Sequence, residues 1–353
     1  MEYKPDIGSV VERHRLLWNR KLPNGILAKI DVYNQDFPNY ADDLLRHCPD
    51  IEKMFADWDA YLNFYKDVKD DAFPVARASF GSYAFGAFLG AKITFTESGG
   101  WAEPLPDDWT MLEDLRFEED NCWIRKQKEL VAYFVKHGKG KFAIAPTETI
   151  DALNFAENLR GPQVYMDIYD YPEKIKQLME FGLEFNIKLI ELQRSIIGTY
   201  KGGVFDLFYT WLPGRAVWLS VDAYAQCLPH VFVDMGYSYI QRLIDHFGNG
   251  WLHIHSNGIS LLPELVKLKG LMGIGVYDDP GQLRGFERLR EIRSITKDIP
   301  LQINCSSEEL EKGIRDGTLP GGIMYWVKGV DSVEYANELM DRVRSYRTKS
   351  DKI

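Results

Sequence analysis

The sequence predicts an α/β fold, a (β/α) barrel with a helical and loop-rich N-terminal extension. Three observations predict it. The chain has 353 residues, long for an average domain and ordinary for such a barrel. Hydrophobic residues make up 45%, enough for a large core without disulfides. The second half alternates short apolar runs with amphipathic segments, which is the pattern of parallel β/α units.

No repeat period, low-complexity tract or Ser/Gly linker interrupts the chain, so residues 1–353 are expected to form one domain. Residues 1–140 read as an irregular part that carries the first barrel elements, and 141–347 as regular units. In the first part, Val10 to Asn19, Tyr40 to Phe55 and Asp120 to His137 read as helices, and Ile26 to Asp31 as a strand. The stretch Gly81 to Asp108 is rich in Gly, Pro and aromatic residues. It is expected to be extended and to fold over the barrel mouth as a lid.

Lys141 to Ala145 reads as the next strand. Pro172-Glu173 then opens a helix to about Ile197, because proline in a first turn gives up only an N–H that has no partner there. Ile175, Leu178, Met179, Leu183 and Ile187 form its apolar stripe. Strands follow at Gly250 to Ile254, Leu271 to Val276, Pro300 to Asn304 and Gly322 to Val327. The helices after them read as Ser260 to Leu268, Leu283 to Thr296, Ser307 to Arg315 and Ser332 to Tyr346. Ser306 offers the third of these an N-cap, with Glu308 and Glu309 in the first turn.

Composition excludes several functions. The net charge is −10, and no Lys/Arg run could track a phosphate backbone, so no nucleic-acid partner is expected. No apolar stretch is long enough to span a membrane and no signal peptide is visible, so a cytoplasmic location is expected. Four scattered cysteines without a CxxC pair suit a reducing compartment. No GxGxxG after a strand, no phosphate-binding GxxxxGK[ST] loop and no GxSxG occurs.

In such barrels the site lies at the C-terminal ends of the strands. The sharpest signal there is Trp251-Leu252-His253-Ile254-His255-Ser256-Asn257-Gly258. Residues i and i+2 of a strand share a face, so His253 and His255 project together and could share a metal; alternatively, one is a proton donor or structural. Cys305 and Asp222 are candidates for a third ligand. Cys305 could equally be a small buried apolar side chain, and Asp222 a helix N-cap. Asp278-Asp279-Pro280-Gly281 reads as a turn and helix start. Arg160, Arg77 and Arg215 could anchor a substrate carboxylate or sit in salt bridges. Tyr209, Trp211, Tyr325 and Trp326 could stack on a flat ligand or pack the barrel.

Four segments in order resemble the uroporphyrinogen decarboxylase superfamily: Pro146 to Gly161, Met166 to Glu173, Val221 to Phe232, and His253-Ile254-His255-Ser256-Asn257-Gly258. The resemblance covers about residues 140 to 345 and implies a (β/α)8 TIM barrel with a deep cleft. The superfamily holds cofactor-independent porphyrinogen decarboxylases and zinc-dependent methyltransferases that move a methyl group between a corrinoid protein and a thiol. The Arg-rich N-terminal motif of the decarboxylases is absent. The methyltransferases resemble His-x-Cys with a late cysteine; here His255 takes the first cysteine's place, and no cysteine lies near Tyr325 to Gly329.

The resemblance therefore favours a methyltransferase-like enzyme. Its Zn²⁺ would sit on His253 and His255 with Cys305 or Asp222, and its methyl donor would be a corrinoid on a partner protein. A decarboxylase of a porphyrinogen or smaller carboxylate is the alternative. There Asp222 would stabilise the protonated intermediate, His253 or Tyr209 would donate the proton, and the three arginines would hold the carboxylates. A binding protein without turnover is the third. A small-molecule substrate is expected in each enzyme reading, and a homodimer is consistent with the family and with base rates.

Overall fold

A strand covered on both faces reads as a continuous apolar run. The segment Leu-Met-Gly-Ile-Gly-Val-Tyr at 271–277 is such a run, and it is buried at every position. The structure is a computed structural model that describes residues 1–38, 40–96, 99–104 and 109–348. It is a mixed α/β arrangement. The parallel strands, in chain order, are β1 (Ile26–Val32), β2 (Val75–Arg77), β3 (Ala143–Ala145), β4 (Val217–Ser220), β5 (Gly250–His255), β6 (Leu271–Tyr277), β7 (Leu301–Ser306) and β8 (Ile323–Val330).

Six of these form one sheet in the order β1-β8-β7-β6-β5-β4, parallel at every pairing. Strands β2 and β3 form a separate parallel pair. Both edges of the large sheet find further partners. At β4, Ser220 makes a parallel bridge to Ile150, just past β3. At β1, Asp71 donates its N–H to the Ala28 carbonyl at 2.8 Å, and its Oδ2 accepts from Ala28 N at 3.0 Å. Asp70 Oδ2 accepts from Ile30 N, also at 3.0 Å. Two carboxylates thus complete hydrogen bonds that an edge strand would leave open.

Alternation along the strands separates two cores. Leu252, Ile254, Val276, Ile303, Cys305, Tyr325 and Val327 face the helical layer. Leu27, Trp251, Tyr277, Met324 and Trp326 face the other way, toward the helix Ile7–Trp18 and a hairpin. That hairpin pairs Gly203–Phe205 with Trp211–Pro213. Its tip is tied by Asp206, whose Oδ1 accepts from Phe208 N at 3.0 Å and Thr210 N at 2.8 Å, while Oδ2 accepts from Thr210 Oγ1 at 2.7 Å. The tight turn puts Tyr209 at φ 64°, a strained conformation for a bulky residue.

The long helix runs Pro172–Ile197 with Pro172 in its first turn, and Ser306 makes a full capping box with Glu309. Other expectations need correction. The helix expected over Tyr40 to Phe55 is two, Tyr40–Asp43 and Ile51–Phe64. Pro49 breaks it, since it disfavours helix at the preceding residue, and Asp50 then caps the second piece. The helix expected at Ser260 to Leu268 is only Leu262–Leu265, with Pro263 in its first turn, after a 3₁₀ stretch at Ser256–Leu261. The helix expected from Leu283 begins only at Leu289, because Asp278 Oδ1 draws Gly285 N into a turn at 2.9 Å. The expected lid stretch holds a 3₁₀ helix at Ser82–Leu89 and a hairpin of Ile93–Thr96 with Gly99–Ala102. Its residues 97, 98 and 105–108 lie outside the described residues.

Candidate functional site

Strand β5 ends at His255 with Trp251, His253 and His255 on one face, the face opposite Leu252 and Ile254. Its neighbour β4 ends at Ser220, and Asp222 opens the 3₁₀ turn that follows. Pairing of Ser220 with His253 brings the three side chains to one point. His253 Nε2 lies 3.8 Å from Asp222 Oδ1, and His255 Nε2 lies 3.9 Å from Asp222 Oδ2. One ligand atom from each residue lies within 4.8 Å of the others, and this is the one such trio among the described residues.

The two histidines are held differently. His255 is half-buried and its Nδ1 lies 2.7 Å from Asp279 Oδ1. Asp279 is fixed in turn by Ser256 Oγ and Asn257 N, which donate to its Oδ2 at 3.2 and 3.3 Å. His253 is buried, and its Nδ1 has no hydrogen-bond partner among the described residues. The Asp222 Oδ1 atom is likewise buried and unpartnered, while Ser220 Oγ donates to Oδ2. Burial, then the adjacent His255, holds His253 well below the usual imidazole range, so it stands neutral with a lone pair to offer. Burial pushes the Asp222 carboxyl up, and His255 opposes this.

Asp222 and His253 face a cavity of about 550 Å³. Phe208 and Trp218 form apolar wall, and Arg77 and Glu148 supply charge. From the expected lid, Trp101, Ala102 and Pro104 reach the same cavity.

No protein-family model matches the chain, and no curated protein matches it. Among solved structures, it is similar to a methyltransferase from Methanosarcina mazei, with a TM-score of 0.63 and 13% identity. The match covers 95% of this chain and 98% of that one. At this identity the likeness is one of fold.

Of the other expected site residues, Arg77 lines the cavity and the rest go elsewhere. Cys305 alternates with Gln302 and Asn304 and pairs in register with Val327, so it faces the helical layer, opposite the histidines. It is buried there, which pushes its thiol up and suits an apolar role. Tyr325 shares that face, and its hydroxyl donates to the Pro320 carbonyl at 3.2 Å. Arg160 is buried against Asp167 at 2.8 Å, with its guanidinium 4.3 Å from the Trp109 ring. Arg215 precedes β4 and pairs with Glu191, so it lies at the opposite end of that strand from Asp222. Trp211 opens the second strand of the hairpin opposite Phe205, its indole donating to the Tyr200 carbonyl at 2.8 Å. Arg77 alone of the three arginines lines the cavity; it donates to the Leu207 carbonyl at 3.0 Å and to Tyr40 Oη at 2.6 Å.

Tyr209 belongs to the hairpin tip rather than to a strand end. Its hydroxyl meets Tyr40 Oη at 2.7 Å, and its ring lies 4.6 Å from Lys29 Nζ. Trp326 flanks the same ammonium at 4.0 Å and donates its indole N–H to Asp31. With two of the three arginines committed elsewhere, the decarboxylase alternative gains no support. Three site residues, Asp279, Phe208 and Trp218, escaped the sequence reading as such. Asp279 read as turn, although β6 lies beside β5 and an acid past its end falls beside His255. Phe208 carries no sequence signal, being a phenylalanine in an irregular stretch.

Proposed function

We propose that the chain is a methyltransferase-like enzyme whose eight parallel strands close as a (β/α)8 barrel of the uroporphyrinogen decarboxylase type. One observation carries the reading: His253, His255 and Asp222 converge at the wall of a cavity with a buried carboxylate oxygen left unpartnered. This donor set of two imidazoles and a carboxylate fits Zn²⁺, and three protein ligands leave a position open, as catalytic sites require. When bound, the metal lowers the pKa of a thiol or hydroxyl acceptor so that the anion is available near neutral pH.

The chain's residues do the rest. Asp279 accepts the Nδ1–H of His255 and so directs Nε2 toward Asp222. Phe208 and Trp218 keep water from the acceptor, which raises the strength of every charge interaction in the cavity. The mouth, with Trp101 at its rim, would receive a methyl donor of corrinoid type carried by a partner protein. The fold likeness to a methyltransferase supports the reaction class.

The test is elemental analysis of the purified protein beside His255→Ala, followed by methyl transfer from methylcobalamin to a thiol. About one zinc per chain, lost in the variant, is the expected result. No metal in either sample, with no methyl transfer, would sink this reading and leave a binding role without turnover.

A further inference from the structure

We propose that Phe208 is a positioning residue for His253: the hairpin tip holds this imidazole by face-to-face stacking, in place of the hydrogen bond that orients His255. The functional half of this inference rests on the metal-site reading above; the structural half does not.

A histidine that offers one ring nitrogen to a ligand is normally aimed by a hydrogen bond at the other. His255 follows that rule through Asp279. His253 does not, since its Nδ1 has no partner among the described residues. Its ring is instead boxed by aromatic faces. Phe208 lies 5.2 Å away at an interplanar angle of 13°, nearly parallel. Tyr277 lies at 4.5 Å and 36°, and Trp218 at 5.6 Å and 45°.

Tyr277 and Trp218 belong to strands, and the Tyr277 hydroxyl is tied to Gln302. Phe208 is the one face of the box that comes from outside the sheet. Asp206 fixes it there by taking three hydrogen bonds within the tip. Phe208 and His253 line the same cavity as stacked neighbours. Removing the ring would free one side of the imidazole to tilt and would open a path for water to Nδ1.

The experiment compares wild type, Phe208→Leu and Phe208→Tyr, with Phe208→Met replacing the leucine variant should that one fail to fold. Histidine-labelled, metal-free protein is examined by NMR, and His253 is assigned by its loss in His253→Gln. Expected are ring-current-displaced His253 signals in wild type and Phe208→Tyr, and their return toward ordinary positions in Phe208→Leu. Zinc affinity is then measured by competition with a chromophoric chelator. It should fall about tenfold to a hundredfold in Phe208→Leu and recover in Phe208→Tyr.

Unchanged His253 signals in Phe208→Leu would overturn the clamp. Changed signals with unchanged zinc affinity would overturn its positioning role. If wild type binds no zinc, the metal reading falls by itself, and the spectra alone decide whether Phe208 holds the ring.

Discussion

Two clusters of buried ionisable groups lie at different places in this molecule, and they are built on opposite plans. Beside β1, Asp70 and Asp71 have every carboxylate oxygen closed by a donor, with Lys4 and Arg13 among the donors, although Arg13 Nη2 is buried with no partner among the described residues. Lys4 Nζ donates to Asp70 Oδ1 and to the carbonyls of Val68 and Asp70 at 2.8–3.1 Å. Arg13 meets Asp71 Oδ1, and the two Oδ2 atoms take the N–H groups of Ala28 and Ile30. All four carboxylate oxygens have partners. Past β4 and β5, Asp222 and His253 each keep a buried atom with none, and both face a cavity. Burial of charge is common to the two clusters. What separates them is the carboxylates: those with every oxygen partnered hold strands together, and one with an open oxygen aimed at a cavity is poised for something it does not yet touch.

The largest expected effect tests the closed cluster. Asp71→Ala strands the Arg13 charge and the Ala28 N–H at once. Removing one partner of a buried pair typically costs about 3–5 kcal/mol, far more than the pair is worth against an apolar replacement. Urea unfolding should show a loss of that size. A loss below about 1 kcal/mol would mean that the β1 edge does not depend on these carboxylates, and the contrast would collapse.

Next comes acid. His14, in the same region, is packed against Phe73 and Trp18, with its Nε2 2.8 Å from the Asp71 carbonyl. Burial lowers its pKa from 6.5 to about 4. The unfolded chain therefore takes up a proton below about pH 6.5 that the folded chain refuses until about pH 4. This contribution to stability is intact above pH 6.5 and is lost as pH falls through that window, by roughly 3 kcal/mol in total. A His14→Gln protein should show a correspondingly flatter stability curve over pH 4–6.5. Equal slopes in the two proteins would refute the assignment to His14.

Much of this was legible from local rules, and the failures have local causes too. The period of two placed His253 and His255 on one face, and the end of an apolar run made Asp222 a candidate beside Cys305, with a helix N-cap as its rival reading. The same period, applied to Leu301-Gln302-Ile303-Asn304-Cys305, puts Cys305 with the leucine and isoleucine, so its position near a strand end was outweighed by its parity. Pro49 marked the break in the expected Tyr40 to Phe55 helix. Asp279 and Phe208 were not legible, because their roles depend on which strand neighbours which and on where a hairpin tip lands. Those are long-range facts that no window of sequence contains.

A smaller effect is expected in the open cluster at Asp279. It is not among the residues lining the cavity and acts by holding His255. Asp279→Ala should weaken zinc binding about tenfold to a hundredfold, or about 1.4–2.7 kcal/mol. Asp279→Asn, which keeps an acceptor oxygen, should recover part of this. Affinity unchanged in both would show that the site does not use the carboxylate–histidine pair.

The smallest expected effect is the most telling. Asp222 is half-buried, yet Asp222→Asn should change the free energy of unfolding by no more than about 0.5 kcal/mol, and the change should tend toward stabilisation. The reason is the open plan. The carboxylate has one internal donor, Ser220 Oγ, which an amide oxygen can still accept, and its Oδ1 is already without a partner. Replacing a poorly compensated, half-buried charge by a neutral group of the same shape removes a cost rather than a bond. Asp71→Asn is the control. There each oxygen has a donor, so the amide NH₂ must face a donor wherever it turns, and stability should fall clearly. Thermal or urea melts of the two asparagine variants decide the matter together. If Asp222→Asn is as damaging as Asp71→Asn, Asp222 is a structural carboxylate after all, and the unpartnered oxygen beside His253 loses its meaning as a ligand.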